Sequence, residues 1–275
     1  MMSKVLKLNN GRELPVVGLG TYKSGPGEVK KAIKDAIDAG YRHFDCAWFY
    51  GNEAEVGIGL RAKIDEGKVK RQDLFITSKL WNNFHAKDQV VPMLKETLNN
   101  LKLDYVDLYL IHWPFGFKET ASLWPVGKGA AAYSDVDYLE TWQGMEECVN
   151  LGLAKSIGIS NFNAEQIERL LKNCKIKPVC NQVEVNPNLN QKKLIEFCKQ
   201  RDIVVVGYCP LAAISLGISV IPKSVTKSRI IENIDIDFTL DPEDVAYLDS
   251  CNKNQRVCPL AEFKNHKYYS FNTEY

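Results

Sequence analysis

Three apolar runs each end in residues suited to proton chemistry. Tyr41-Arg42-His43-Phe44-Asp45-Cys46-Ala47 leads into Tyr50, Leu74-Phe75-Ile76-Thr77-Ser78 ends on Lys79, and Leu108-Tyr109-Leu110-Ile111 ends on His112-Trp113. Tyr50 is a candidate general acid. A free phenol has a pKa of about 10, too high for ready proton exchange at neutral pH. A nearby ammonium would stabilise the phenolate and lower that value, and Lys79 could supply it. A buried lysine needs a partner of its own, which Asp45 provides. His112 could donate a hydrogen bond to a carbonyl oxygen and orient it beside Tyr50. The group suits polarising and protonating a carbonyl. That is half of a reduction, and the other half is a hydride, which no side chain provides. Taken singly, Asp45 and Lys79 read as a structural ion pair, His112 as a packed histidine and Tyr50 as a loop tyrosine. Their joint placement on consecutive strand ends favours catalysis.

A hydride source should leave a nucleotide signature. Gly18-Leu19-Gly20-Thr21-Tyr22-Lys23 lacks the third glycine of the dinucleotide fingerprint. The segment Ile221-Pro222-Lys223-Ser224-Val225-Thr226-Lys227-Ser228-Arg229 fits better, because it opens a short helix that carries Arg229, Glu232 and Asn233. Lys223 and Arg229 suit a 2′-phosphate, which favours NADP over NAD. Ser160-Asn161 and Asn181-Gln182 offer amides and a hydroxyl that could read a nicotinamide carboxamide, although such residues also cap helices. Tyr208 offers a flat face for stacking.

The elements that must position these groups follow from periodicity. Asn10-Gly11 predicts a tight hairpin turn near the start. Strands are predicted over 16–21, 42–47, 74–80, 106–113, 156–160, 179–185, 204–210 and 219–223. Helical spacing separates them: Val29, Ile33, Ala36 and Ile37 before Gly40; Val56, Leu60 and Ile64; Val90, Leu94, Leu98 and Leu101; Leu139, Trp142 and Val149; Ile167, Leu170 and Leu171; Leu194, Ile195 and Cys198. A last helix is predicted over 242–251. Eight near-continuous apolar strands alternating with helices predict an α/β fold, a closed (β/α)8 TIM barrel behind an N-terminal hairpin, as one domain over 1–275. In such a barrel the carboxyl ends of the strands share one rim. Phosphate often binds there after the last two strands.

One unit breaks the pattern. Only Leu211-Ala212-Ala213-Ile214-Ser215-Leu216-Gly217-Ile218 separates Pro210 from Ser219. A parallel crossover needs a dozen or more residues, usually with a helix. The seventh crossover helix is therefore missing, with Ala212 to Gly217 resembling its final turn and glycine stop. Either the sequence as written omits these residues or the protein lacks them. In the second case the barrel wall is expected to be breached.

Composition bounds the partners. Apolar residues make up 45% and charged residues 25%, with a net charge of +1. That balance gives no bulk electrostatic case for nucleic acid or an anionic membrane. No window reaches the roughly 18 apolar residues of a membrane span, and Met1-Met2-Ser3-Lys4 leads into no signal peptide. The eight cysteines form no C-x-x-C pair, which predicts reduced thiols in a cytoplasmic protein and no zinc site. His43, His85, His112 and His266 contain no H-x-H pair, which argues against a metal-dependent hydrolase. The expected partner is a small-molecule carbonyl substrate of a monomeric chain.

Several stretches together resemble the aldo-keto reductases, most closely the aldose-reductase-like branch. They are Gly18-Leu19-Gly20-Thr21, Phe44-Asp45-Cys46-Ala47 with Tyr50 and Asn52-Glu53, Thr77-Ser78-Lys79-Leu80-Trp81, Ile111-His112-Trp113-Pro114, Gly158-Ile159-Ser160-Asn161-Phe162 and Ile221-Pro222-Lys223-Ser224. They run in family order over nearly the whole chain. The resemblance implies NADPH-dependent reduction of aldehydes or ketones. It implies Tyr50 as proton donor, tuned by Lys79 and Asp45, with His112 orienting substrate. It implies that Ser160, Asn161 and Gln182 hold the carboxamide and that Tyr208 stacks on the nicotinamide. Gly20, Thr21, Tyr22, Asp45, Cys209 and Leu211 would also border the cofactor, and Lys223, Ser224, Val225, Thr226, Arg229, Glu232 and Asn233 its adenosine phosphate. The stretch missing after Leu211 would include a loop folded across the pyrophosphate, so NADPH is expected to bind weakly and leave quickly.

Aromatics crowd the predicted rim loops. Tyr22, Phe49, Tyr50, Trp81, His112, Trp113, Phe115, Trp124 and Leu260 are candidate substrate contacts, giving an apolar pocket over a polar floor. Apolar aldehydes or bulky ketones, steroids among them, are expected over charged sugars. The rival reading is a catalytically impaired NADPH-binding regulatory or scaffold protein on the same barrel. The missing stretch favours that rival, and the intact Asp45, Tyr50, Lys79 and His112 oppose it.

Overall fold

Val5–Lys7 (β1) and Glu13–Pro15 (β2) pair antiparallel across the Asn10-Gly11 turn. Leu8 and Leu14 are buried with Phe75, Leu108, Leu110, Cys180 and Val206, so the hairpin plugs the amino end of a barrel. The computed structural model describes residues 4–210, 216–273 and 275.

The barrel strands are Gly18–Gly20 (β3), His43–Asp45 (β4), Phe75–Leu80 (β5), Leu108–Ile111 (β6), Ile157–Ser160 (β7), Cys180–Glu184 (β8), Val204–Tyr208 (β9) and Ser219–Val220 (β10). They lie side by side in chain order, every pair parallel. Helices Glu28–Asp38 (α1), Glu53–Asp65 (α2), Lys87–Leu101 (α3), Tyr138–Asn150 (α4), Ala164–Leu171 (α5) and Lys192–Lys199 (α6) alternate with the strands, and Lys227–Ile234 (α7) and Pro242–Ser250 (α8) follow β10. Helices α1 to α6 pack apolar residues on the outside of the sheet, whereas α7 buries Ile230 and α8 buries none of its residues. In α1, Val29, Ala32, Ile33, Ala36 and Ile37 are buried, and the intervening lysines face water. An aromatic cluster sits above the rim: Trp81, Trp113, Phe115, Phe117, Phe263 and Tyr269.

The eight-strand pattern and the crossover helices stand where periodicity put them, with strands one to three residues shorter at their ends. A breached wall is not what the structure shows. Val17 bridges Val220 and Gly20 bridges Lys223, so β10 joins β3 and closes the ring. Gly20 permits the join, because a Cβ there would stand 2.9 Å from the Ile221 carbonyl oxygen. Ten residues, 209–218, link β9 to β10, and 211–215 among them lie outside the described residues. The short link suffices because β10 begins level with Val206 and pairs only with Val206 and Gly207. The chain need fall back only about 7 Å along the strand axis at 3.3 Å per residue. The anticipated helix end at 212–217 falls largely outside the described residues.

Candidate active site

Asp45 ends β4, and Lys79 lies two residues beyond Thr77, its lateral neighbour on β5. The Lys79 ammonium, fully buried, binds Asp45 Oδ1 and donates to the Cys46 carbonyl oxygen at 2.8 Å and to the Tyr50 hydroxyl at 3.3 Å. Tyr50 closes a short 3-10 turn, Trp48–Tyr50, that ends on Gly51 at φ 66°. A left-handed residue there turns the chain straight into α2. Asn52 then donates to the Thr21 carbonyl at 2.9 Å, and Thr21 donates to the Asp45 carbonyl through both its amide and its hydroxyl. The tyrosine turn is thereby tied to β3 and β4. His112, at the end of β6, stands edge-on to Tyr50 with ring centroids 5.8 Å apart. The four predicted catalytic residues converge on one spot of the rim.

Electrostatics differ from the expected acidified phenol. Burial pushes the Tyr50 hydroxyl well above its ordinary value, and the Asp45 carboxylate adds to the rise. The Lys79 charge is already matched by Asp45, so it does not offset that burial. Burial, helped by Lys79, holds the His112 imidazole well below its ordinary value. His112 is thus neutral, and its buried Nδ1 has no protein partner. A neutral imidazole can donate one hydrogen bond without bringing charge.

The opposite wall carries the predicted amides. Gln182 donates from Nε2 to Asp45 Oδ2 at 2.7 Å. Ser160 donates to the Gln182 carbonyl, Asn161 donates to the His112 carbonyl, and the Tyr208 hydroxyl donates to Asn161 Oδ1 at 2.9 Å. Beyond this wall, Ser224 Oγ accepts from the Thr226 amide at the start of α7. Lys223, Thr226, Arg229 and Glu232 are exposed, while Val225 and Asn233 are half-buried. Lys223 donates to the Lys23 carbonyl at 3.0 Å. Cys209 donates to the Cys258 thiol, pushing Cys209 up and Cys258 down from their ordinary values. Leu211 lies outside the described residues.

Of the predicted substrate contacts, Phe49 stacks on Trp81 at 3.7 Å, Trp81 stacks on Trp124 at 6.0 Å, and Tyr22 leans on Tyr50 at 4.9 Å. Trp113 meets Phe271 edge-on, and Leu260 packs against the same aromatic cluster. Phe115 corrects the sequence reading: it has no exposed surface and is wedged among Phe117, Phe263 and His266. It supports the wall from behind. The structure also brings in residues without a periodic signal. Glu184, at the end of β8, accepts from the amides of Val257 and Cys258 and so pins the tail over the rim. Its only trace in the sequence is a carboxylate inside an apolar strand.

The aldo/keto reductase family model matches residues 16–216. The chain is 44% identical to prostaglandin-E(2) 9-reductase of Oryctolagus cuniculus over 316 aligned positions, covering 98% of this chain and 97% of that protein. It is 42% identical to estradiol 17 beta-dehydrogenase 5 of Mus musculus, covering 99% and 98%. Among solved structures, an aldose reductase from Schistosoma japonicum superposes with a TM-score of 0.95 at 41% identity, covering 99% and 100%. An aldo-keto reductase from Bombyx mori in complex with NADP gives 0.90 at 40%, covering 98% and 99%. An alignment of 316 positions against 275 residues sets at least 41 positions of the rabbit protein opposite gaps. With a family match over most of its length and this degree of identity to full-length relatives, the chain belongs to the aldo/keto reductase family.

Proposed function

We propose that this protein, a carbonyl-acting oxidoreductase of its NADP-dependent family, uses Tyr50 as the proton donor in reducing aldehydes and ketones to alcohols. The observation that carries the reading is the contact of the Tyr50 hydroxyl with the Lys79 ammonium, opposite the neutral His112. The residues present fit the cofactor. Ser160, Asn161, Gln182 and Tyr208 form a polar wall with an aromatic face, while Arg229, exposed on α7, makes no ion pair among the described residues. Ser160, Asn161 and Gln182 would hold the carboxamide, Tyr208 the ring, and Lys223, Ser224, Arg229 and Asn233 the adenosine phosphate. When bound, NADPH supplies the hydride.

Tyr50 keeps its proton at neutral pH because burial holds it there. A carbonyl oxygen set between Tyr50 and His112 receives two hydrogen bonds. As negative charge grows on that oxygen, the Tyr50 proton moves to it and Lys79 steadies the phenolate left behind. The aromatic stack of Phe49, Trp81 and Trp124 favours bulky apolar carbonyls, steroid-like ones among them. Two relatives carry names that specify a prostaglandin and estradiol. The whole chain acts as one cytoplasmic, monomeric barrel unit in this reading.

Mixing the protein with NADPH and a panel of aromatic aldehydes, bulky ketones and acidic carbonyls tests the reading. Loss of NADPH absorbance with apolar substrates is expected. A preference for acidic or phosphorylated carbonyls would overturn the substrate class. The short β9–β10 link favours a second reading, a cofactor-binding protein with impaired catalysis, and NADPH binding without turnover of any panel member would establish it.

A further inference from the structure

One buried carboxylate near the site has no part in the chemistry above. Glu53 opens α2, three residues after Tyr50, and is 3% exposed. Its Oε1 accepts a 2.6 Å hydrogen bond from the Ser78 hydroxyl, which is itself wholly buried. Ser78 immediately precedes Lys79. The bond therefore joins the segment that carries Tyr50 to the strand that carries Lys79. It lies directly behind the 3.3 Å contact between the two.

An isolated carboxylate is an expensive way to pin a helix to a sheet. Burying one costs several kcal/mol unless it is paired and hydrogen-bonded, and an apolar side chain would pack at less cost. Glu53 is only partly satisfied, since its Oε2 is buried without a hydrogen bond. The Tyr109 hydroxyl on β6 is also buried and unpaired, whereas Thr97 and Asn100 on α3 turn polar groups toward the carboxylate and favour its ionised form. Thr97 and Asn100 face the carboxylate from α3, Cys46 from the end of β4, Tyr109 from β6, and Lys79 from β5. No arginine is among these groups, and Lys79 is the one cation.

We propose that Glu53 is a positioning residue for carbonyl reduction: by gripping Ser78 it holds the Tyr50 hydroxyl at the Lys79 ammonium. The inference rests on the reading of Tyr50 as proton donor. Burial raises the Glu53 carboxyl to about 7. Its charge state therefore changes within the working range. The ionised form makes the stronger, charge-assisted bond to Ser78. The chemical step should then quicken as pH rises through that value.

The test is single-turnover NADPH oxidation between pH 5.5 and about 8.5, a span that brackets the Glu53 ionisation, with NADPH affinity measured alongside by fluorescence quenching. Ser78→Ala should slow the step about tenfold or more, the scale of a small displacement of a catalytic group, while NADPH affinity stays unchanged. Glu53→Gln keeps an acceptor for Ser78 but cannot ionise. It should retain a wild-type rate at low pH and lose the rise near neutrality. Glu53→Gln with the wild-type profile, or Ser78→Ala with the wild-type rate, overturns the proposal. Tyr50→Phe runs beside them. Full activity in that variant defeats the proton-donor reading itself, whereas a slow Tyr50→Phe with a fast Ser78→Ala defeats the positioning role alone.

Discussion

Gln182 on β8 reaches across the barrel mouth and donates a 2.7 Å hydrogen bond to Asp45 on β4. Asp45 is thereby held on both oxygens, by Gln182 on one and Lys79 on the other. Tyr50 consequently faces a matched couple, and burial decides its proton affinity. The phenol stays protonated well into alkaline solution. The rate of carbonyl reduction should show no fall between pH 7 and about 9, since a group lifted above its ordinary value of about 10 does not deprotonate there. Alcohol oxidation, which needs the phenolate as base, should climb throughout the same span. A pH profile of kcat/KM in both directions checks this, and a reduction rate falling from pH 7.5 would contradict it.

Arg229 makes no ion pair among the described residues, and it stands on α7 beyond the strand end that carries Lys223. Arg229→Ala should weaken NADPH about 10- to 100-fold, the value of a hydrogen bond to a charged group. NADH, which lacks the 2′-phosphate, should be unaffected. Titration with both cofactors gives the comparison, and an equal loss for the two would remove Arg229 from the phosphate.

The ten-residue link between β9 and β10 leaves little chain to fold over a bound dinucleotide. Release of oxidised cofactor should then be fast, leaving the chemical step to limit turnover. NADPH deuterated at the transferred position should give the same isotope effect on kcat as on the single-turnover rate. An isotope effect on kcat near unity would show that release still limits.

Burial holds His43 near pKa 4 and His85 near 3, against 6.5 for an exposed imidazole. Between those values the unfolded chain binds more protons than the folded one. Stability is then full above about pH 6.5 and falls with acid, by roughly 3 kcal/mol for His43 alone at pH 4. Both His85 ring nitrogens are buried and unpaired. His85→Leu should therefore be tolerated at neutral pH and should flatten the acid limb. Urea denaturation from pH 4 to about 7, the window of that histidine linkage, measures it, and a loss of several kcal/mol at pH 7 in His85→Leu would contradict the argument.

The sequence announces the barrel because each strand is an apolar run and each helix has a stripe, as with Val29, Ile33 and Ile37 on α1. It announces the proposed catalytic set because Asp45, Lys79 and His112 sit where such runs end. Other features depend on contacts that no local pattern encodes. Gln182 reads as an amide at a strand end, with nothing to show that it spans 137 residues to Asp45. The direction of the Tyr50 shift depends on whether the Lys79 charge is free, which only three-dimensional pairing settles. Phe115 shares its aromatic character with Trp124, yet one is sealed and the other 39% exposed. The tail residues Phe263, Tyr269 and Phe271 lie in an aperiodic stretch and reach the site because Glu184, Asn163 and Gln166, all distant in sequence, fix the tail by hydrogen bonds. The closed wall across a short link follows from the register of β10, which length alone does not reveal.

The most direct test replaces one oxygen. Tyr50→Phe keeps the ring against Tyr22 and His112 and removes only the hydroxyl. NADPH affinity should match the wild type, and the single-turnover rate should fall by about 100-fold or more, the usual contribution of a placed general acid. A variant that reduces the same carbonyl at the wild-type rate would show that the proton comes from elsewhere.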